Sequence, residues 1–166
     1  MTPRLRSTSI KWPKPLAQSG YVLIEVLVSI LIFAVGILAL VGLQAKSMES
    51  SRDAKYRADA AFLADQIIGV MWADKRVNLA SYTHNSAGAS CAFSGGASGN
   101  ANVTGWIGSV GSYGSVLDSL PGSTASSLQI QANGATGQVT VTVCWKSPQD
   151  SSMHNYVAAT QIVGGL

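Results

Sequence analysis

Charge is scarce in this chain of 166 residues. Only 11% of the residues are Asp, Glu, Lys or Arg, compared with about 25% in ordinary soluble domains. From Val77 to the C-terminus the only Lys or Arg is Lys146, so this part lacks the basic stripe with which proteins bind the phosphates of nucleic acids. Nucleic acid is therefore not an expected partner.

Recognisable groups of catalytic or metal-binding residues are also missing. His84 and His154 lie in separate polar stretches, and neither has a Cys or carboxylate beside it at the spacing typical of metal sites. The many serines reflect loop composition and do not form a Ser, His and Asp arrangement around a nucleophile. We therefore expect no enzyme activity, no metal and no cofactor.

The positive charge is concentrated at the N-terminus. The first twenty residues contain Arg4, Arg6, Lys11 and Lys14 and no acidic residue. These are four of the eleven basic residues, which leaves seven against eight acidic residues in the rest of the chain. The net charge of +3 thus belongs to this segment, which is typical of a leader on the cytoplasmic side of a membrane.

A long hydrophobic segment follows this basic leader. Residues 21–43 read YVLIEVLVSILIFAVGILALVGL and carry one charge, Glu25. A helix of this length spans about 34 Å, enough to cross a hydrocarbon core of about 30 Å. The segment is longer than the apolar region of a cleaved secretory signal, although the small residues at Ala45 and Ser47 leave ordinary signal removal as an alternative.

Glu25 is unusual within this segment. A carboxylate inside a membrane costs several kcal/mol unless it has a partner, so such residues are often functional. The alternative is that Glu25 lies close enough to the helix start to reach the lipid headgroups, where the positive end of the helix dipole also favours it.

Gly20, Tyr21 and Glu25, placed after a basic leader and before an uninterrupted apolar span, resemble the class III signal of type IV prepilins and pseudopilins. In that signal a Gly precedes an aromatic residue that becomes the new N-terminus, and Glu is the fifth residue after cleavage. Tyr21 stands where Phe is commonest. The helix sequence LIEVLVSILIFAVGILALVGLQ is most similar to that of the PilV-type minor pilins.

This resemblance implies a processing pathway. Prepilin peptidase is expected to cleave between Gly20 and Tyr21 and to N-methylate the amine of Tyr21. Glu25 is then expected to pair with the N-terminal ammonium of a neighbouring subunit. The implied partners are other major and minor pilins, prepilin peptidase, the inner-membrane assembly platform and, before assembly, the lipid bilayer.

The implied location is the bacterial inner membrane, with one span, the N-terminus in the cytoplasm and a periplasmic head, followed by the pilus at the cell surface. Three alternatives stay open. The chain could be a pseudopilin of a type II secretion system, which shares the signal. It could be a pilus-tip adhesin or ligand-binding pilin, or an unrelated protein with a single membrane anchor.

The two cysteines, Cys91 and Cys144, both follow the hydrophobic segment. In an oxidising compartment such a pair predicts one disulfide, whereas in a reducing compartment they would be two unrelated buried thiols. Closing a loop of about fifty residues would stabilise a small domain by roughly 4 kcal/mol.

The predicted fold class is α+β and pilin-like: a long N-terminal helix packed on a small antiparallel sheet with a disulfide-pinned loop. We divide the chain into a cleaved leader (1–20), a membrane-spanning or filament-core helix (21–43), an amphipathic continuation (44–77) and a periplasmic head (78–166). The continuation is predicted to end near Arg76 and to pack against the sheet through apolar residues at helical spacing. These residues are Ala45, Met48, Tyr56, Ala60, Leu63, Ile67 and Val70.

The head is predicted to contain a three-stranded meander. Residues 85–127, rich in Gly, Ser, Ala and Asn, read as loops with one short strand near Val103–Ile107. Strands Ser127–Ala132 and Gln138–Trp145 flank the turn sequence NGATG, and a third strand covers Tyr156–Val163. Cys144 alternates with valines that face the helix, which places the disulfide on the outer side of the sheet.

Overall fold

The structure, a computed structural model, describes residues 19–109 and 111–163. The chain divides into two compact units, Met1–Ser47 and Met48–Leu166. Helix α1 (Ser19–Ala73) begins in the first unit and ends in the second. The chain is α+β, as predicted. The predicted leader lies outside the described residues, except for Ser19 and Gly20.

The second unit contains short helices and two antiparallel sheets. After α1 come a 3-10 helix (Arg76–Tyr82), β1 (Ala87–Ala89), β2 (Ala92–Ser94), α2 (Ala101–Ile107), α3 (Val116–Ser119), a second 3-10 helix (Ala125–Ser127), β3 (Leu128–Ala132), β4 (Gln138–Trp145) and β5 (His154–Gln161). Strands β1 and β2 form one hairpin, and β3, β4 and β5 form the larger sheet in that order.

The predicted meander is confirmed, with a small shift in its third strand. Strand β5 starts at His154, two residues before the predicted start, because the pairing with β4 continues to Trp145. There the rings of Trp145 and His154 stack with their centroids 5.8 Å apart. The turn between β3 and β4 needs Gly137, which has φ +75 and whose Cβ, if present, would lie 2.2 Å from the carbonyl oxygen of Ile162.

One face of α1 supplies five of the nineteen buried residues in the core of the second unit. Its buried residues recur at helical spacing and pack in one cluster with the inward-facing valines of β4. On α1 these are Ala60, Leu63, Ala64, Ile67 and Met71. The predicted packing stripe is thus right from Tyr56 onward. It is wrong for Ala45 and Met48, which are exposed because the core of the unit does not extend to them.

The predicted strand at Val103–Ile107 is wrong, since these residues form helix α2. The Asn100 side chain accepts a hydrogen bond from the Asn102 backbone N–H at 2.9 Å and caps the helix start. Val103 and Trp106 then fall on one buried face. The Trp106 Nε1–H donates to the Leu63 carbonyl of α1 at 2.8 Å, which fixes α2 against that helix.

Helix α1 ends at Ala73, three residues before the predicted end. Asp74 ends it: its Oδ1 accepts the Lys75 backbone N–H at 2.7 Å, and Lys75 takes an extended conformation with ψ 136. The same carboxylate accepts hydrogen bonds from Asn78 at 2.9 Å and from the Tyr82 hydroxyl at 2.8 Å. Asp74 therefore ties the end of α1 to the 3-10 helix that follows.

The predicted disulfide between Cys91 and Cys144 is present, with the two Cα atoms 5.8 Å apart. Cys91 lies in the turn between β1 and β2 at φ +65. On the same side of the sheet, the Gln129 Nε2 group donates to the Asn85 carbonyl at 2.8 Å. The disulfide and this hydrogen bond hold the β1–β2 hairpin on the outer side of the larger sheet, as expected from the alternation in β4.

Stability should depend on pH through Asp74. Hydrogen bonds from Asn78, Tyr82 and the Lys75 N–H lower the pKa of Asp74 below its ordinary value of 3.8. A carboxyl group whose pKa is lower in the folded than in the unfolded state stabilises the fold at pH values above its unfolded-state pKa. This contribution is lost as the pH falls through the folded-state pKa. The unfolding midpoint in denaturant should therefore drop as the pH falls below the ordinary carboxyl pKa and through the lowered pKa of Asp74.

The variant Asp74→Asn tests this assignment. It should unfold more easily than the wild type at neutral pH, and the two midpoints should converge in acid because the carboxylate contribution has been removed. Asp65→Asn, at an exposed carboxylate of α1, is the matched control. A constant difference between Asp74→Asn and the wild type across the whole pH range would contradict the assignment.

Candidate functional site

The candidate site is the first half of α1, which exposes an apolar surface on every side. The large apolar side chains of residues 21–43 are between 45% and 73% exposed. Monomeric soluble proteins rarely expose contiguous apolar patches of more than a few hundred Å². This surface therefore requires an apolar environment that the described residues do not supply.

The helix meets the requirements for a membrane span. It is long and apolar enough to cross a bilayer, by length and composition, and none of its most hydrophobic stretch is buried. Apolar character on all sides of a helix is found in membrane spans and in fully buried core helices. This stretch is not a fully buried core helix, because none of the described residues covers it.

Gly20 and Tyr21 lie in the first turn of α1, and Glu25 follows Tyr21 by one turn. Residues four apart lie on the same face of a helix, so the structure brings Tyr21 and Glu25 together. A Cβ added at Gly20 would meet nothing within 4 Å. Packing among the described residues therefore gives no reason for a glycine at this position.

Glu25 is exposed and makes no hydrogen bond or ion pair with any described residue. It is also the only charged residue of the span. In an apolar environment an uncompensated carboxylate is costly. Among the described residues Glu25 has no cationic partner.

The two histidines lie far apart in the larger sheet. The backbone of His84 bridges Ile130 on the outer edge of β3, whereas His154 begins β5, so β3 and β4 lie between them. No group of three or more His, Cys, Asp or Glu side chains suited to a metal ion occurs among residues 19–109 and 111–163.

His84 has a structural environment that sequence spacing did not predict. Its side chain is buried, and Nδ1 accepts the Ser98 backbone N–H at 3.2 Å. Nε2 lies 3.1 Å from the Ala125 carbonyl oxygen and 2.9 Å from the Asn85 Nδ2 group. Asn85 donates to the same carbonyl at 2.8 Å. These contacts join loops distant in sequence, and no local motif marks them.

His154 does have a carboxylate partner, which the sequence analysis missed. Its Nε2 lies 2.8 Å from Asp150 Oδ2, and this contact lowers the pKa of Asp150. The spacing of four residues was the available signal. With Trp145 stacked on the ring of His154, the pair anchors the loop between β4 and β5.

Four aromatic residues of the second unit, Tyr82, Trp106, Tyr113 and Tyr156, do not share a surface. Tyr82 and Trp106 are in the core, with 0% and 5% exposure. Burial raises the pKa of Tyr82 above its ordinary value of 10.0. Tyr113, by contrast, is 97% exposed, and Tyr156 packs at the margin of the core. The core residues fill space, so the four do not together form a sugar- or base-stacking platform.

Comparison with protein-family models, with curated proteins and with solved structures finds no significant match to this chain.

Membrane association can be tested at the centre of the apolar stretch. Arginine in place of Leu31 and Leu38, which are 64% and 71% exposed, should cost about 2.5–3.5 kcal/mol each on insertion. The double variant should move from the alkali-resistant membrane fraction to the soluble fraction.

Arginines at Met48 and Phe62, two exposed apolar residues of α1 in the second unit, are the control and should leave the chain in the membrane. Equal fractionation of both double variants would exclude residues 21–43 as the membrane anchor.

Proposed function

We propose that this chain is the precursor of a type IV pilin-like subunit, most similar to a PilV-type minor pilin, that takes part in pilus assembly or fibre modification. The observation that carries the proposal is the combination of Gly20, Tyr21 and Glu25 at the start of a helix with a fully exposed apolar surface. The same helix then becomes amphipathic and packs in the core of a disulfide-linked α+β unit.

Gly20 would serve processing rather than folding. The helix has space for a side chain at this position, and a residue without a side chain leaves the peptide bond before Tyr21 open to a protease at the membrane surface. Cleavage by prepilin peptidase would convert Tyr21 into the N-terminal residue. Its new amine, after N-methylation, carries the positive charge that Glu25 lacks among the described residues.

Glu25 would then select the position of each subunit in the fibre. An ammonium and a carboxylate brought together in an apolar environment attract strongly, and removing one partner typically costs about 3–5 kcal/mol. A subunit that places its N-terminus beside the Glu25 of a neighbour satisfies both charges, whereas other positions leave a charge buried without a partner. The apolar surface of residues 21–43 would pass from the bilayer to the packed core of the filament.

The partners that follow are other major and minor pilins, prepilin peptidase and an inner-membrane assembly platform. The N-terminus would lie in the cytoplasm before cleavage and the second unit in the periplasm, where the Cys91–Cys144 disulfide is stable. A pseudopilin of a type II secretion system is the closest alternative, because it uses the same signal and helix. Recovery of the subunit from sheared pili separates the two.

Processing provides the first test. The membrane-extracted chain should begin at N-methylated Tyr21 in cells with prepilin peptidase and keep its leader in cells without it. Gly20→Val should prevent cleavage even when the peptidase is present. Gly36→Val is the matched control, since a Cβ at Gly36 also meets nothing within 4 Å, and it should be processed normally. Cleavage near Ser47, or peptidase-independent processing, would reject the pilin-like reading.

The assembly role of Glu25 is tested separately. Glu25→Gln should be processed normally and stay in the membrane, yet its recovery in sheared pili should fall by about a hundredfold or more, because the charge pair is lost. Glu49→Gln, at the only other glutamate of the chain, should assemble at the wild-type level. Normal assembly of Glu25→Gln would show that the carboxylate is merely tolerated near the membrane surface.

A further inference from the structure

The two edges of the larger sheet differ. The outer edge of β3 is closed at its centre, where the Ile130 backbone N–H and carbonyl both bond to His84 at 2.9 Å. The buried side-chain contacts of His84 hold that bridge in place. The outer edge of β5 pairs with no strand in the described part of the chain. Among the described residues, one edge is therefore closed and the other is open.

The register identifies the open backbone groups. The Ile162 N–H donates to the Gly137 carbonyl at 2.8 Å, immediately beyond the paired ends of β4 and β5. In an antiparallel pair, residues with backbone hydrogen bonds to the partner strand alternate with residues without them. Thr160, Ala158 and Tyr156 therefore bond to β4. The intervening residues direct their backbone N–H and C=O groups away from the sheet. These residues are Asn155, Val157, Ala159 and Gln161, and all four are exposed.

This edge lacks the usual protection against strand addition. Natural edge strands are commonly blocked by a charged side chain, a proline or a bulge. Strand β5 pairs with β4 without interruption over eight residues, and residues 151–163 contain no Asp, Glu, Lys, Arg or Pro. The open edge is thus able to accept another extended strand.

The sequence of β5 complements itself. We propose that β5 pairs antiparallel with β5 of a second copy of this chain, around a two-fold axis at Ala158. In this register Asn155 lies opposite Gln161 of the second copy, and Val157 lies opposite its Ala159. Amides therefore face amides and aliphatic side chains face each other, and none of these pairs brings together like charges, which destabilise a sheet when directly opposite. All four outward-facing residues exchange backbone hydrogen bonds in this register.

The resulting dimer has a continuous sheet of six strands and a closed two-fold interface. A filament instead requires an open, head-to-tail repeat of contacts. The β5 pairing is therefore separate from filament packing and does not rest on the proposed function. It is a contact between the second units of two copies.

Cysteine cross-linking of the full chain in detergent tests the register. In the proposed dimer the two copies of Ala158 lie opposite each other across the two-fold axis. They form no backbone hydrogen bonds with each other, and their Cα atoms lie about 4.5 Å apart. Ala158→Cys should therefore form a disulfide-linked dimer under mild oxidation. The matched control is Ala159→Cys in the same strand. Two copies of residue 159 are diagonal neighbours about 7–8 Å apart, so cross-linking should be about tenfold slower, since a disulfide needs a shorter span.

A second measurement avoids new cysteines. The wild-type chain in detergent should show the mass of a dimer in light scattering, and Val157→Lys should show that of a monomer, because it places a charge on the open edge. An intact Cys91–Cys144 disulfide in each variant confirms folding. A monomeric wild type without cross-linking at residue 158 would overturn the proposal. Equal cross-linking at residues 158 and 159, or cross-linking of Ala158→Cys to a different polypeptide, would also overturn it.

Discussion

Helix α1 must fit two environments, an apolar one along residues 21–43 and a partly aqueous one from Ala60 onward. The rest of the structure depends on this constraint. Over residues 21–43 the apolar side chains of α1 cover its whole circumference. From Ala60 onward only one stripe stays apolar and is buried, because water surrounds the other side. The single charge within the first part, Glu25, is consequently the one residue there whose energy depends strongly on a partner.

The second unit reaches a fixed structure with few charges. Its connections are hydrogen bonds between distant loops, one disulfide and a small core. Asp74 joins the end of α1 to the next helix, and the Trp106 indole holds α2 against α1. The Cys91–Cys144 disulfide attaches the turn between β1 and β2 to β4, and the His84 bridge attaches the chain before β1 to β3. In a chain rich in glycine and serine, such crosslinks offset the high conformational entropy of the unfolded loops.

Sequence reasoning was most accurate where a repeat or a pairing rule operates over many residues. The long helix, the hairpin around NGATG and the disulfide are predicted correctly because periodicity, turn chemistry and an even cysteine count are local or simple signals. It failed at Val103–Ile107, where a run of five residues is too short to distinguish a strand from a helix by its pattern, and the Asn100 cap decided for the helix. It also missed the β1–β2 hairpin, since strands of three residues in a Gly- and Ser-rich stretch lack a periodic pattern.

The sequence by itself determined that the chain has an apolar helix with one acid near its start, a basic N-terminal segment and a small β-rich remainder. These properties follow from composition and spacing along the chain. Only the tertiary structure decided that Gly20 packs against none of the described residues, that His84 closes one sheet edge and that no described strand pairs with the outer edge of β5. Such properties depend on which distant backbone and side-chain groups meet, and hydrogen-bond partners far apart in sequence leave no mark on local patterns.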